Sequence, residues 1–101
     1  MIKDIDILPD EFIIQSKGNI ISDMDGEKVM LNVQKGKYYN LGEIGGVIWD
    51  LLEQPVSANQ VIAELMAQYE VEQSECEEQV LAFLKLLFDE GLIEIGEKVG
   101  E

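Results

Sequence analysis

The hydrophobic pattern of this chain changes its period at Gly42, and that change limits the fold more than any other feature. Before Gly42, apolar and polar residues alternate over short runs, which is typical of β-strands. After it, apolar residues recur every three or four positions, the spacing of a helix that buries one face. The pattern therefore predicts an α+β domain, with strands before Gly42 and helices after it.

The N-terminal part predicts a small antiparallel sheet of three strands. A first β-type run covers Phe12–Gln15, and Ile20–Ser22 either extends it or forms a strand of its own. The sequence alternates over Lys28–Gln34 and returns over Lys37–Leu41, the predicted third strand. Because glycine accepts the positive φ of a tight turn, we expect Lys35–Gly36 to be a two-residue hairpin loop.

One helix is predicted on each side of Pro55. Pro55 ends the first of them, because proline breaks the helical hydrogen-bond pattern. Ser57 followed by Gln60 is a capping-box pattern, so the second helix is expected to begin there. The spacing of its apolar residues predicts a buried stripe of Val61, Ile62, Leu65, Met66 and Tyr69.

A third helix is predicted from Ser74, with Glu77 as its capping partner, to Gly91, which suits the left-handed residue after a helix. Residues 92–95 are expected to add a short terminal strand, and residues 96–101 to form a frayed tail. The whole chain is interpreted as one domain over residues 1–101, with an ordered core over about residues 5–95.

The third helix is more apolar than one buried face requires. At 100° per residue its apolar positions cover roughly 160°, against the ~100° stripe of an ordinary surface helix. These positions are Cys76, Val80, Leu81, Phe83, Leu84, Leu87 and Phe88. Two explanations stay open: either every one of these side chains is core, or one flank remains beside the sheet as an apolar groove for a partner.

The predicted third strand, Lys37–Leu41, lies at the end of the sheet and presents unpaired N–H and C=O groups. An extended peptide can add a strand at such an edge, with its main chain giving affinity and its alternate side chains giving specificity. Edge lysines such as Lys35 and Lys37 are equally typical of a defence against uncontrolled pairing. The edge is therefore a candidate peptide-binding site that strand pattern alone does not decide.

Charge and composition exclude several functions. The chain has 101 residues, 21 acidic and seven basic, with a formal net charge of −14. Nucleic acids and anionic membranes repel such a surface, because binding to them relies on Lys and Arg. A neutral or basic peptide is a more suitable partner, or else the charge serves only solubility.

Catalysis and metal binding lack the usual residues. The chain has no histidine and a single cysteine, Cys76, so histidine triads and His or Cys metal sites are excluded. No glycine-rich phosphate loop is present. We therefore predict no catalytic residue, no metal and no cofactor. The lone cysteine, the absence of a signal-like N-terminus and the lack of a long apolar segment favour a cytoplasmic location.

Residues 38–52, YYNLGEIGGVIWDLL, resemble the central signature of PqqD-like proteins, in which an aromatic-rich strand enters a helix. The resemblance continues through residues 63–65, 69–71, 83–87 and 91–93, so it covers roughly residues 9 to 95. It implies three strands followed by three helices in a winged-helix-like arrangement. It also implies a non-catalytic recognition element for the leader segment of a ribosomally made precursor peptide.

In such proteins the leader binds as an extra antiparallel strand on the third strand, in the groove against the third helix. Carried over by this resemblance, the peptide-binding residues are Lys37, Tyr38, Tyr39, Asn40 and Leu41 on the strand and Cys76, Gln79, Val80 and Phe83 on the helix. A free-standing domain of this kind resembles those of lasso-peptide clusters, which pass the precursor to a separate leader peptidase and a cyclase.

Three alternatives remain. A PqqD-like domain also serves other modified-peptide pathways, such as that of pyrroloquinoline quinone. A scaffold module would pair its apolar helix with a second copy. A winged-helix DNA-binding regulator needs a basic recognition helix, whereas the third helix sets Lys85 against five acids, Glu75, Glu77, Glu78, Asp89 and Glu90.

Overall fold

The computed structural model describes residues 10–96, which form six strands and three helices. In chain order they are β1 (Phe12–Gln15), β2 (Asn19–Met24), β3 (Glu27–Asn32), β4 (Lys37–Leu41), α1 (Gly42–Leu51), β5 (Val56–Ser57), α2 (Ala58–Gln68), α3 (Gln73–Asp89) and β6 (Ile93–Gly96). Residues 5–9 of the predicted core and residues 97–101 of the predicted tail lie outside the described residues.

The strands form two three-stranded antiparallel sheets, so the α+β class and the three helices are as predicted. One sheet has the order β2-β3-β4 and contains the predicted second and third strands, with Ile20–Ser22 in a strand of its own. The predicted first strand, Phe12–Gln15, is not part of it, which corrects the predicted single sheet. The other sheet, with the order β5-β1-β6, was not predicted. In it Phe12–Gln15 pairs with two strands far away in sequence, and one of these strands has only two residues. The hydrophobic period reports local structure only, so it cannot detect such pairing.

β1 is connected to the ends of α1 and α3 and to the start of α2. The Gln15 amide N–H donates to the Leu52 carbonyl after α1 at 3.0 Å, and the Gln15 side chain donates to the Trp49 carbonyl at 2.7 Å. Phe12 pairs with Ser57 at the start of α2. Because β6 follows α3 and pairs along all of β1, the end of α3 is held there too.

The loop between β3 and β4 corrects the predicted two-residue hairpin. It has four residues, Val33–Gly36, because Asn32 is the last strand residue and pairs with Lys37. The Asn32 carbonyl accepts from the Gly36 N–H, and its side-chain oxygen accepts from the Lys35 N–H, each at 2.8 Å. The polar side chain thus closes the turn earlier than the alternating pattern indicates.

The start of α2 is as predicted, because Ser57 accepts from the Gln60 N–H at 3.2 Å and the Gln60 side chain accepts from the Ser57 N–H at 2.9 Å. The buried stripe of α2 is wrong at one position. Met66 is 37% exposed, whereas Leu65 beside it is buried. The side chain of Met66 therefore lies beyond the edge of the face that packs on the core.

The predicted start of α3 is wrong and its predicted end is confirmed. The helix begins at Gln73, after Glu72 in an extended conformation, and no side chain caps it. Ser74 is already helical, so its hydroxyl does not cap, and Glu77 accepts instead from the Gln73 side chain at 3.0 Å. Gly91 follows the helix with a φ of +78°, the left-handed conformation expected there.

The β2-β3-β4 sheet has one buried and one exposed face. Met30 on β3 is fully buried, and Tyr39 lies opposite it on β4 and packs against the core. Ile20, Leu31 and Tyr38 are in register on the other face, where Tyr38 is 73% exposed. The buried face is therefore the one that turns toward the helices.

Candidate functional site

β4 is an edge strand in the described part of the chain. Within its sheet it pairs with β3 alone, in a register that sets Met30 opposite Tyr39 and Leu31 opposite Tyr38. In an antiparallel ladder, alternate residues direct their N–H and C=O groups to each side. Half of the peptide groups of β4 therefore point away from β3 and are available to a further strand.

The side chains of β4 divide between two faces. Leu41 is buried, and the Tyr39 hydroxyl donates to Glu90 at the end of α3 at 2.9 Å. Since side chains alternate along a strand, Lys37 shares this face with Tyr39 and Leu41, and Tyr38 and Asn40 face the other way. The face with Lys37, Tyr39 and Leu41 is thus the one beside α3.

A groove of about 340 Å³ separates β4 from the C-terminal half of α3, and we call it the strand–helix groove. Its lining residues are Lys37, Tyr38, Tyr39, Asn40, Leu41, Phe83, Leu86, Leu87, Glu90 and Leu92. Leu86 is 56% exposed, whereas Leu87 is buried. The groove therefore has a buried apolar floor and an exposed apolar rim, beside an open strand edge.

A second cavity of about 420 Å³ adjoins the groove, and we call it the helical pocket because most of it lies between the helices. Its lining residues are Leu41, Ile44, Gly45, Ile48, Leu65, Tyr69, Val71, Glu75, Cys76, Gln79, Val80 and Phe83. Leu41 and Phe83 line both cavities. An extended ligand in the groove would therefore have the helical pocket at its side.

The structure divides the sequence-predicted site residues between these two cavities. Lys37–Leu41 and Phe83 meet in the strand–helix groove, whereas Cys76, Gln79 and Val80 line the helical pocket and not the groove. Leu41 of the predicted strand and Phe83 of the predicted helix line both cavities, so these two residues connect the two groups.

Sequence reasoning missed four groove residues, Leu86, Leu87, Glu90 and Leu92. A signal for Leu86 was present, because 100° per residue places it about 60° beyond Phe83, on the side away from the apolar arc. An exposed leucine next to the edge of a buried face marks the rim of a groove. Nothing in the local sequence indicates that Glu90 meets β4, since that contact depends on the tertiary fold.

Glu90 joins the end of α3 to β4 and its loop. Its carboxylate lies 3.5 Å from the Lys37 ammonium and 3.9 Å from that of Lys35, and it accepts from Tyr39. Lys35 also donates to the Glu90 carbonyl. The hydrogen bond from Tyr39, together with the charge of Lys37, lowers the pKa of Glu90. The carboxylate is therefore held ionised at this end of the groove.

The Phe83 side chain of α3 lies against α1 at Gly45. A Cβ atom on Gly45 would lie 3.0 Å from the Phe83 Cζ atom and 3.3 Å from the Leu41 Cβ atom. Only glycine lets α1 approach the ring this closely without a shift. Gly45 thus lets α1 pack directly against the Phe83 ring in the wall of the helical pocket.

Cys76 is buried at 6% exposure in the wall of the helical pocket. Burial, with a smaller contribution from the charge of Glu77, raises the pKa of its thiol. The thiol is protonated at neutral pH and acts there as a small apolar side chain.

Among the described residues, no group of three or more His, Cys, Asp or Glu side chains lies close enough together to bind a metal ion. The described helices also include none with the length and apolar composition of a membrane span.

A family model described as Coenzyme PQQ synthesis protein D (PqqD) matches residues 27–93. This span runs from the first residue of β3 into β6 and includes every residue that lines the groove and the pocket. The chain belongs to the PqqD family. No curated protein sequence matches it.

Two solved structures are similar to this PqqD-family chain. That of TbiB1 in complex with the TbiA(beta) leader peptide has 30% sequence identity and a TM-score of 0.73, and it covers 80% of this chain and 94% of that one. That of lasso peptide synthetase B1 complexed with the leader peptide has 23% identity and a TM-score of 0.71, and it covers 81% and 96%. The second likeness concerns the fold alone.

Proposed function

We propose that this protein is a non-catalytic recognition element, which binds the leader segment of a ribosomally made precursor peptide in lasso peptide biosynthesis. The main support is the open edge of β4, which runs beside the apolar flank of α3 in a member of the PqqD family. The likeness to TbiB1, solved in complex with a leader peptide, supports the same class of ligand.

In this proposal the leader adds to β4 as a fourth, antiparallel strand of a winged-helix-like fold. Main-chain hydrogen bonds to residues of Lys37–Leu41 supply affinity, and alternate leader side chains enter the strand–helix groove against Phe83. Cys76, Gln79 and Val80 take part only where a leader side chain reaches the adjoining helical pocket, in which they lie.

The bound leader is then delivered to other proteins, because the recognition element itself performs no chemistry. Its partners in the proposal are a separate leader peptidase and a cyclase, in the cytoplasm, with no nucleic acid, membrane or cofactor. Incubation of the protein with purified precursor should leave the precursor mass unchanged. A new product in the mass spectrum without a partner enzyme would contradict the non-catalytic role.

Hydrogen exchange tests strand addition directly. The probe is a synthetic TbiA(beta) leader peptide, the ligand in the TbiB1 structure. Amides of Lys37–Leu41 that point away from β3 should exchange more slowly with the leader present, because new ladder hydrogen bonds protect them. The amides of Asn19–Met24, on the opposite edge of the same sheet, serve as the control and should not change. A leader that binds yet leaves Lys37–Leu41 unprotected would refute strand addition.

A second pathway is a candidate because the matching family model is described by coenzyme PQQ synthesis. In that case the partner is the precursor of pyrroloquinoline quinone, and the binding mode is unchanged. Affinities measured side by side for a lasso leader and a pyrroloquinoline quinone precursor separate the two. Tighter binding of the latter would assign the protein to that pathway.

A further inference from the structure

The charges that line the strand–helix groove differ from the charge of the whole chain. The chain has a formal net charge of −14, but the charged residues that line the groove are one lysine, Lys37, and one glutamate, Glu90. Lys35 adds a second ammonium group, 3.9 Å from the Glu90 carboxylate. This end of the groove therefore has two positive groups and one negative group.

Glu90 supplies one full negative charge, and the C-terminus of α3, where the Glu90 carbonyl accepts from Lys35, supplies a partial one. Two ammonium groups exceed this sum, so a net positive charge remains at the groove. The side chains of Lys37 and Lys35 are 58% and 44% exposed, so each is accessible to a bound peptide. Glu90 is less exposed, at 31%, and its carboxylate also accepts from the Tyr39 hydroxyl. The cluster is thus arranged to receive one further anion.

The position of that anion in a bound leader follows from strand geometry. Residues directly opposite in neighbouring strands share a face, so a leader strand on β4 has three residues on the groove side. They lie opposite Leu41, Tyr39 and Lys37. Because the added strand is antiparallel, these three follow one another at every second position, in that order along the leader.

We propose that the groove selects leader segments in which an apolar residue opposite Leu41 is followed, four residues later, by an aspartate or glutamate that Lys37 and Lys35 bind. The inference rests on the proposed function. Phe83 and Leu86 supply the apolar surface for the earlier positions. The acidic position therefore sets the register of the leader as well as its affinity.

The overall acidity of the protein does not oppose this selection. At physiological salt, charges more than ~8 Å apart at the surface are largely screened, whereas a direct ion pair is not. A leader that is neutral or basic overall, with one acid at this position, is not repelled by the acidic protein surface and still forms the ion pair in the groove.

The test uses a synthetic TbiA(beta) leader peptide, the ligand in the TbiB1 structure, labelled for fluorescence anisotropy. Each Asp and Glu of the leader is replaced singly by its amide and titrated with the wild type, with Lys37→Gln, and with the control Lys17→Gln. Lys17 is exposed and lines neither the groove nor the helical pocket, so the control removes the same charge elsewhere. One leader replacement should weaken binding to the wild type by roughly two- to five-fold, the range of an exposed ion pair.

The same replacement should have no effect on Lys37→Gln, while Lys17→Gln should bind every peptide as the wild type does. Charge reversal gives a second readout: a leader with Lys at the acidic position should regain affinity for Lys37→Glu. The inference is overturned when every leader replacement acts equally on the wild type and Lys37→Gln, or when the reversed pair gains nothing.

Failure of the inference is distinguishable from failure of the proposed function. A leader that binds and protects the Lys37–Leu41 amides, but shows no coupling to Lys37, refutes only the acidic position. A leader that neither binds nor protects those amides refutes the proposed function itself. Thermal unfolding of each variant confirms that it is folded at the temperature of titration.

Discussion

Replacement of Phe83 by alanine should lower both the affinity for the leader and the free energy of unfolding of the protein. The ring is partly buried against the core and also lines both cavities. Full removal of a buried Phe costs ~3–5 kcal/mol of stability. Because part of this ring already faces the groove, we expect a loss of ~2–3 kcal/mol in the free energy of unfolding.

The binding free energy lost in Phe83→Ala depends on the area of the ring that a leader would cover. A Phe side chain buries ~150–250 Å² in all. If the leader covers about a third of that, at ~25 cal/mol per Å², the ring contributes ~1.3–2.1 kcal/mol. The leader side chain against it loses a similar area, so we expect ~2–4 kcal/mol of binding free energy, or a Kd raised roughly 30- to several-hundred-fold.

Phe88→Ala is the matched control, because Phe88 is also a partly buried phenylalanine of α3 and lines neither the groove nor the helical pocket. It should lose a similar stability and keep the affinity of the wild type. The two measurements are urea unfolding, and anisotropy titration at a temperature where both variants are folded. A Phe83→Ala variant with reduced stability and unchanged affinity would refute the placement of the leader against this ring.

Two further predictions concern the rim and the end of the groove. Leu86→Ala should change the free energy of unfolding by less than ~0.5 kcal/mol, because Leu86 is 56% exposed. The same variant should bind the leader more weakly by ~1 kcal/mol in the anisotropy titration. Unchanged binding would show that Leu86 does not contact the leader. Glu90→Gln should lose stability most at neutral pH, because Tyr39 and Lys37 lower the pKa of Glu90 and a lowered pKa contributes stability that is lost as the pH falls. The gap in Tm between this variant and the wild type should narrow from pH 7 to pH 3, and a widening gap would contradict the contribution of Glu90.

The meander and the three helices follow from signals that are local in sequence. Alternation over β3 and β4 and the capping box of Ser57 each depend on residues close together along the chain, and the structure contains them. The left-handed Gly91 is a signal of the same kind. Where such a signal competes with another local interaction, it fails, as when Asn32 closes the β3–β4 loop two residues early.

The second sheet and half of the groove could not be predicted in this way. β1 pairs with β5 and β6 because the helices between them fold back, and no periodic pattern records that return. The pairing of Glu90 with Tyr39 and Lys37 likewise joins residues far apart in sequence. The sequence therefore predicts which strand and which helix line the strand–helix groove, but not which side of the helix faces the strand.

The two edges of the β2-β3-β4 sheet explain why a peptide would choose β4. Both edges offer free peptide groups, but main-chain hydrogen bonds alone carry no specificity and compete with water. An added strand on β4 covers apolar surface of α3 at the same time, since Leu86 and Phe83 lie along that edge. On β2 the exposed apolar residues Ile20 and Met24 belong to the strand itself. The contact of Glu90 with β4 holds α3 in position before any ligand arrives, so binding need not order the groove first, and a preformed site keeps more of its interaction energy as affinity.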